Sequence, residues 1–395
     1  MQKNLGVALD IGTTTIQGKL IDLNGKNELA YFSCLNEQLT LGHDIVSRIK
    51  ICLQKPDGLE KLNKKVISSI NFVIENLLLA AKEETDSIKV IGAVGNAALY
   101  HFTLALSPKK LVEPPYQAEY SGLVEKRAKA MGIEAGTDCK FFFLPNIGSF
   151  IGSDAMAVIL ATGIDRSESP VLVADIGTNG EIIVGSKKRI WVTSTAAGPA
   201  FEGWHIKCGM RGVEGAVESI VDDNGKLTLK VIGGGEPMGI SGSGLIDAIA
   251  IMLKRNYINS SGRVEKDFVI KEQDKRLFIC QEDVREVQLA KAAFAVAISF
   301  LRKLVKSDIS KFIITGNFGS YINKESAKSI GIIPKDIDSD KVEFLKNGAL
   351  EGAEIFVTDR GHALSQIDDI LNKTEHISLS QDRDFQKEFS DAIRF

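Results

Sequence analysis

The sequence predicts an α/β fold of two lobes, each organised around the same β-hairpin. The string Asp-Ile-Gly-Thr occurs twice, beginning at Asp10 and at Asp175. Each copy follows an apolar strand pattern and precedes another, and helical patterns separate the two copies. The copies lie about one domain length apart. Because an internal repeat determines the architecture, we expect a first lobe over residues 1–168 and a second over residues 169–395.

In the first lobe, three antiparallel strands are expected to precede the helices. The strands are predicted over residues 5–10, 16–22 and 29–34, with a hairpin signal at Asn24-Gly25. Later elements are helices over 44–52 and 59–81, strands over 89–94 and 141–144, and a helix over 152–162.

The second lobe repeats this order after a polar stretch that ends at Pro170. Strands are predicted over 171–175, 181–185 and 190–194, helices over 245–255 and 284–305, and a strand over 311–315. The remaining helices, to about residue 354, and a polar tail are expected to belong to this lobe.

Composition argues against several classes of partner. The net charge is −3, so no basic footprint for nucleic acid is expected. No targeting segment opens the chain, and no apolar stretch approaches the roughly 20 residues that span a bilayer. The five cysteines include no C-x₂-C pair, which argues against a resident iron–sulfur cluster and for free thiols in a reducing compartment. We therefore expect a cytoplasmic protein.

Both repeated turns have the chemistry of a phosphate site. Glycine lets the backbone approach a ligand closely, and successive N–H groups in a turn form an anion-binding concavity. Asp10 and Asp175 are expected to hold Mg²⁺, which favours one or two carboxylates together with phosphate oxygens. Two such turns facing each other would clamp a polyphosphate. The predicted ATP-binding residues of the turns are Gly12, Thr13, Thr14, Thr15, Gly177, Thr178, Asn179 and Gly180.

A single Asp-Ile-Gly-Thr turn is more often an ordinary hairpin turn without a ligand, and only the duplication favours a nucleotide site. No P-loop string is present, and no G-x-G-x-x-G string follows the first strand. Glu181 and Glu202 are candidates for orienting the attacking water, with simple surface solvation as the alternative.

Three glycine-containing loops are further ATP-binding candidates. Gly198 belongs to an unusual loop, 197–203, that is expected to line the cleft. The segment Ser241, Gly242, Ser243 and Gly244 opens a helix and either donates N–H groups to phosphate or ribose or simply caps the helix. The turn Gly316, Asn317, Phe318 and Gly319 either admits an adenine ring or is a plain strand-to-helix turn.

The paired hairpins resemble those of the actin, sugar kinase and Hsp70-type ATPase superfamily, with its ribonuclease H-like lobes. Several further segments narrow the resemblance to the ATP-dependent reductive activators of corrinoid proteins. These segments are 36–38, 42–49, 94–96 with His101, 144–147, 175–181, 197–203, 239–247 and Gln288-Leu289-Ala290-Lys291.

The resemblance implies an ATPase that uses ATP and Mg²⁺ to drive a cobalt(II) corrinoid protein to cobalt(I). Asp10, Asp175 and Glu181 are the expected catalytic residues, and the resemblance implies a homodimer. Members usually carry an iron–sulfur module; this sequence shows none, so a separate low-potential electron donor is expected. Two positions depart from the family pattern: Ser241 stands where a cysteine is common, and Asn317 replaces a glycine. A small-molecule kinase of the same fold and an ATP-sensing partner protein are the alternatives.

Overall fold

The computed structural model describes residues 3–114, 116, 118–272, 276–316, 322–379 and 384–395. These residues form two compact units. The first contains the chain up to Asp165 together with Gly348–His376, and the second contains Arg166–Asn347 and Ile377–Phe395. No helix within the described ranges is both long enough and apolar enough to cross a bilayer.

The first unit is a mixed sheet with helices on both faces. Its sheet has the strand order β3-β2-β1-β4-β6-β5. Helix α2 packs on β2 and β3, where Gly18 leaves room for Val73. The elements up to residue 165 are β1 (Leu5–Ile11), β2 (Thr15–Asp22), β3 (Asn27–Leu35), α1 (Ile45–Gln54), α2 (Gly58–Ala81), β4 (Ile88–Gly95), α3 (Ala97–Thr103), α4 (Lys109–Val112), β5 (Val124–Arg127), β6 (Lys140–Phe143) and α5 (Ser153–Thr162).

The second unit repeats the same arrangement of strands. Its elements are β7 (Val171–Asp175), β8 (Gly180–Ser186), β9 (Arg189–Thr195), β10 (Ala216–Asp223), β11 (Lys226–Val231), β12 (Gly239–Ile240), α6 (Gly242–Lys254), β13 (Phe268–Lys271), β14 (Leu277–Ile279), α7 (Gln281–Arg302), β15 (Lys311–Thr315), α8 (Lys324–Ile330) and β16 (Val342–Phe344).

The order β9-β8-β7-β15-β16 matches β3-β2-β1-β4-β6 strand for strand. In both units the first strand pairs antiparallel with the second and parallel with the strand on its other side. The predicted duplication, and with it the predicted α/β class, is therefore confirmed. The small sheets β10–β12 and β13–β14 were not predicted from the sequence.

The C-terminal elements differ from the sequence expectation. They are α9 (Gly348–Thr358), α10 (Arg360–Lys373), β17 (Thr374–His376) and α11 (Phe385–Ala392). Residues 348–376 belong to the first unit, although the sequence placed them in the second lobe. The reason is close packing: side-chain atoms of Val357 fill the space above Gly6 and Gly92, and Gly352 lies against the Ala157 carbonyl of α5.

Candidate functional site

The first hairpin turn is held by its carbonyl groups. Asn36 donates its side-chain amide to the Gly12 oxygen at 3.0 Å and its backbone N–H to the Thr14 oxygen at 2.9 Å. Arg48 donates Nη2 to the Thr13 oxygen at 2.7 Å. Because the N–H and C=O of a trans peptide point in opposite directions, these bonds aim the N–H groups of Thr13 and Thr14 away from Asn36 and Arg48.

Arg48 is fully buried, which the sequence reasoning did not anticipate. Its Nε donates to the Gly42 oxygen at 2.8 Å and its Nη1 to Gln38 Oε1 at 3.1 Å. Burial lowers the pKa of Arg48 to about 10, so the guanidinium is still charged at neutral pH. Segments 36–38 and 42–49 belong to the family resemblance, and Asn36 and Arg48 within them support this turn.

Asp10 ends a completely buried run of β1 and is itself half-buried. It stands beside Gln17 in the antiparallel register and beside Val94 in the parallel one. One residue beyond Val94, Gly95 is tied to α5 because its N–H donates to Ser153 Oγ at 3.0 Å. Asn96 then donates its amide to the Thr13 hydroxyl at 3.1 Å. The turn is thus supported from two sides.

The second hairpin places a row of polar side chains across four strands. Thr315 of β15, Asp175 of β7, Glu181 of β8 and Ser194 of β9 are successive cross-strand partners. Direct partners project from the same face of a sheet with Cβ atoms roughly 5 Å apart. The structure therefore brings two of the predicted catalytic carboxylates, Asp175 and Glu181, side by side. Ser194 donates its hydroxyl to Glu181 at 3.2 Å.

The same row exists in the first unit with different chemistry. Asp10 pairs with Gln17, which in turn pairs with Ser33, just as Asp175 pairs with Glu181 and then Ser194. An amide thus replaces the second carboxylate, and only the second unit has two acids in its row. The predicted catalytic residue Glu181 therefore has an amide, Gln17, as its counterpart in the first hairpin.

The loop after β9 folds back onto the second turn. Gly198 donates its N–H to the Thr178 oxygen at 3.0 Å, and its positive φ of 78° favours glycine. Thr178 donates its hydroxyl to Glu202 Oε1 at 2.8 Å. Burial raises the pKa of Glu202, whereas the bonds from Thr178 and the charge of Arg211 oppose this rise. Glu202 therefore lies at the turn and is not a solvated surface residue.

The predicted segment Ser241–Gly244 forms the buried start of α6. Ser241 Oγ donates to the Val217 oxygen at 3.0 Å, and Ser243 Oγ donates to the Glu218 oxygen at 2.7 Å. Both hydroxyls thus anchor the helix to β10, and Ser241 is also the N-cap. A Cβ atom on Gly242 would lie 2.0 Å from the Phe201 oxygen, so the helix start packs directly against the loop that carries Glu202.

Gly316 begins the turn after β15, next to the second carboxylate. Its φ is 110°, and an added Cβ would lie 2.3 Å from the Ile176 oxygen and 3.0 Å from Asp175 Oδ1. Only glycine fits this position without strain. The other predicted residues of this turn, Asn317, Phe318 and Gly319, lie outside the described residues.

A further carboxyl near the first turn was missed from the sequence. Asp154 lies in the first turn of α5 and accepts the Ala155 N–H at 2.8 Å. A Cβ on Gly152 would lie 2.6 Å from Asp154 Oδ1 and 2.5 Å from the Asn96 Cα, so this carboxyl adjoins the residue that supports Thr13. Burial raises the pKa of Asp154 to about 6. The Gly-Ser-Asp string at a helix start was the available sequence signal.

We expect Asp154→Asn to stabilise the protein above pH 6. The pKa of this carboxyl is raised from 3.8 to about 6 in the folded protein. Its contribution to the free energy of unfolding is therefore fully present below pH 4. That stability is lost as the pH rises through 6, because ionisation is then more favourable in the unfolded chain. At pH 7.5 the variant should gain about 1–3 kcal/mol in the free energy of unfolding. Urea unfolding at pH 4 and pH 7.5 measures the difference.

The control for this prediction is Asp138→Asn, a change at an exposed aspartate of the same unit. It should alter the free energy of unfolding by no more than about 0.5 kcal/mol at either pH. An Asp154→Asn protein whose gain is the same at both pH values would contradict the assignment.

The residues present fit a magnesium–polyphosphate ligand. No group of three or more His, Cys, Asp or Glu side chains within the described ranges could hold a metal by itself. Asp10 and Asp175 are half-buried carboxylates, each at the foot of a glycine-containing turn. Magnesium that keeps several waters and phosphate oxygens needs only one or two such carboxylates.

Two family models cover almost the whole chain. Residues 5–167 match the model described as the RACo middle region. Residues 169–395 match the model described as the C-terminal domain of RACo, the ASKHA domain. The boundary between the two matches falls where the sequence predicted a lobe boundary, whereas compact packing returns residues 348–376 to the first unit.

Similar proteins agree with the family models. The chain is 34% identical to the corrinoid activation enzyme RamQ of Eubacterium limosum over 96% of its own length and 68% of that protein's length. It is 25% identical to a [Co(II) methylated amine-specific corrinoid protein] reductase of Methanosarcina barkeri, over 94% of its length and 73% of that protein's.

Among solved structures, a reductive activator for a corrinoid, iron–sulfur protein superposes with a TM-score of 0.93 at 32% identity. The superposition covers 100% of this chain and 66% of that one, so this chain spans about two thirds of the length of that activator. The fold is therefore the actin-like ATPase fold that the hairpins predicted. The chain belongs to the RACo family of corrinoid reductive activators.

Proposed function

We propose that this chain is an ATP-hydrolysing activator that drives reduction of a cobalt(II) corrinoid protein to cobalt(I). The observation that carries the proposal is the duplicated hairpin, in which Asp10 and Asp175 each lie at the end of a first strand and open an Asp-Ile-Gly-Thr turn. Family membership supplies the partner class: a corrinoid protein. A cytoplasmic location and a homodimer are part of the same proposal, and the homodimer rests on the resemblance.

In this proposal, each hairpin turn donates backbone N–H groups to the phosphates of ATP. Asp10 and Asp175 would hold Mg²⁺, directly or through its water ligands, and the ion would supply positive charge beside the phosphate oxygens. Glu181 is the second acid of the row that contains Asp175. With Glu202, which receives the Thr178 hydroxyl, it is a candidate for orienting the attacking water.

The energetic role of ATP follows from redox arithmetic. A one-electron couple shifts by about 59 mV for each tenfold change in equilibrium constant. Raising the cobalt potential by about 120 mV therefore needs roughly 100-fold preferential binding of one cobalt state, or about 2.8 kcal/mol. An interface that binds one cobalt state more tightly supplies this difference, and ATP turnover resets the complex. Electrons come from a separate low-potential donor.

The decisive experiment measures phosphate release by the purified chain with Mg²⁺ and ATP, with and without a cobalt(II) corrinoid protein and a chemical low-potential reductant. We expect turnover to rise at least tenfold only when the corrinoid protein is present. Formation of cobalt(I), followed by absorbance, should require ATP. A matched reaction with a protein that lacks a corrinoid is the control.

Other outcomes would replace the proposal. Transfer of the phosphoryl group to a metabolite, without any effect of corrinoid protein, would identify a small-molecule kinase. ATP binding without hydrolysis under every condition would identify an ATP-sensing partner protein.

A further inference from the structure

The tail of the chain, defined as residues 384–395, lies along helix α7. Its helix α11 stacks Phe385 on Phe389 with ring centroids 6.0 Å apart, and both rings pack against the core of the second unit. Lys303 near the end of α7 pairs with Glu388 of the tail. Helix α11 has no fully buried residue, so the tail is a peripheral element of the second unit.

The last three residues of the tail cover two polar side chains of α7. Gln288 donates Nε2 to the Ile393 oxygen at 2.9 Å, and Lys291 donates Nζ to the Arg394 oxygen. The Phe395 ring lies 5.2 Å from the same Lys291 nitrogen, within cation–π distance. We call Gln288 and Lys291 the cradle. Both belong to the Gln-Leu-Ala-Lys segment whose role the phosphate site does not explain.

The cradle is an unusual environment for a lysine. Lys291 is 3% exposed, and no carboxylate in the described parts of the chain pairs with its ammonium group. Burial lowers the pKa of Lys291 to about 8. Buried cations are normally paired. Two carbonyl oxygens and one aromatic face are the groups that the tail presents to the cradle, and a nucleoside presents the same kinds of group in its ribose oxygens and its base.

The cradle is close to the second hairpin. Phe294, one helical turn after Lys291, lies so near Gly180 that an added Cβ would be 2.1 Å from its ring. Residues three apart on a helix are surface neighbours. Lys291 therefore lies about one turn, roughly 5 Å along the helix axis, from Phe294, which packs against Gly180 at the start of β8.

Ligand-sized space also adjoins the cradle. A cavity of about 500 Å³ is lined by Ala295 and Ser299 of α7, by Lys303 just after this helix, and by Gly331. An added Cβ on Gly331 would be 3.7 Å from Lys291 Nζ, so the cavity and the cradle are neighbours. Pockets for small ligands have volumes of roughly 300–1,000 Å³.

We propose that the tail is an internal competitor of the nucleotide: its last three residues occupy the cradle, and nucleotide binding displaces them. The inference rests on the proposed ATP site at the second hairpin and adds a regulated step to it. When only a fraction of the protein is in the binding-competent form, the apparent dissociation constant equals the intrinsic constant divided by that fraction. Any partner that captures the tail would then increase the affinity for nucleotide.

Two changes in the tail test this proposal without altering the cradle. Phe395→Ala removes the ring over Lys291, and Glu388→Gln removes the ion pair with Lys303. Calorimetry with a non-hydrolysable ATP analogue and Mg²⁺ should show at least fivefold tighter binding by each variant than by the unmodified chain. Glu168→Gln, which removes the exposed Lys187 ion pair in the same unit, is the matched control and should not change affinity.

Hydrogen exchange gives an independent readout. Saturating analogue should speed exchange of the tail amides, including Phe395, whose N–H donates to the Ser260 oxygen at 2.9 Å. Unchanged tail exchange, together with unchanged or weaker affinity in both variants, would overturn the competitor model while leaving the ATP site intact. Failure of the unmodified chain to bind the analogue would overturn the proposed function as well.

Discussion

Asp10→Ala and Asp175→Ala are each expected to reduce ATP turnover by about 10³-fold. Each change removes a carboxylate at the foot of a phosphate-binding turn, and loss of one pre-organised electrostatic group typically costs about 10²–10³-fold in rate. Loss of the magnesium position adds to this cost. Steady-state phosphate release, measured over a range of Mg²⁺ concentrations, tests the prediction.

The fold should survive both changes. Asp10 and Asp175 are half-buried residues at strand ends, and the apolar cores of both units do not depend on them. Thermal unfolding should therefore stay close to that of the unmodified protein, and Asp138→Ala, at an exposed position, should retain full turnover. Undiminished turnover in either Asp10→Ala or Asp175→Ala would refute the assignment of that carboxylate.

Arg48→Met is expected to have the largest effect on stability. Methionine fills part of the space but leaves the oxygens of Thr13 and Gly42 without this donor, and Gln38 Oε1 keeps only the bond of 3.5 Å from Asn36. Each unsatisfied buried polar group costs about 1–3 kcal/mol, and removal of the buried charge offsets part of the sum. We expect a net loss of about 3 kcal/mol in the free energy of unfolding.

The same change should weaken ATP binding, because the Thr13 carbonyl loses its anchor and the turn loosens. An increase in KM for ATP of roughly tenfold corresponds to about 1.4 kcal/mol. Lys50→Met, an exposed change on the same helix α1, is the control and should leave both quantities unchanged. An Arg48→Met protein with unmodified stability would show that the buried guanidinium does not support the turn.

Much of the site was predictable because its signals are local. Each turn is encoded by a short string at the end of an apolar strand, and the strands and helices near Asp10 and Asp175 were predicted close to their observed bounds. Burial of Arg48 and the closeness of Asp154 to Asn96 were not predictable. They depend on packing between segments about 35 to 60 residues apart, which leaves no periodic trace in the sequence.

The sequence by itself determined the duplicated hairpin, the two carboxylates and the family. The tertiary structure decided the register: Asp10 pairs with Gln17 across seven positions, whereas Asp175 pairs with Glu181 across six. An ungapped alignment of the two repeats would therefore pair Ile16 with Glu181. It would not show that Gln17 occupies the position of Glu181 in the first unit. Loop length and strand pairing set this register, since a slip of one residue moves every side chain to the other face.

The tertiary structure also decided where the C-terminal segments belong. Helix α9 packs on the first unit because Gly6, Gly92 and Gly352 permit close contacts, and residues 384–395 pack on α7 of the second. Helical periodicity in a sequence shows that a helix has an apolar face, but the surface that buries this face is selected by complementary shape among residues distant in the chain.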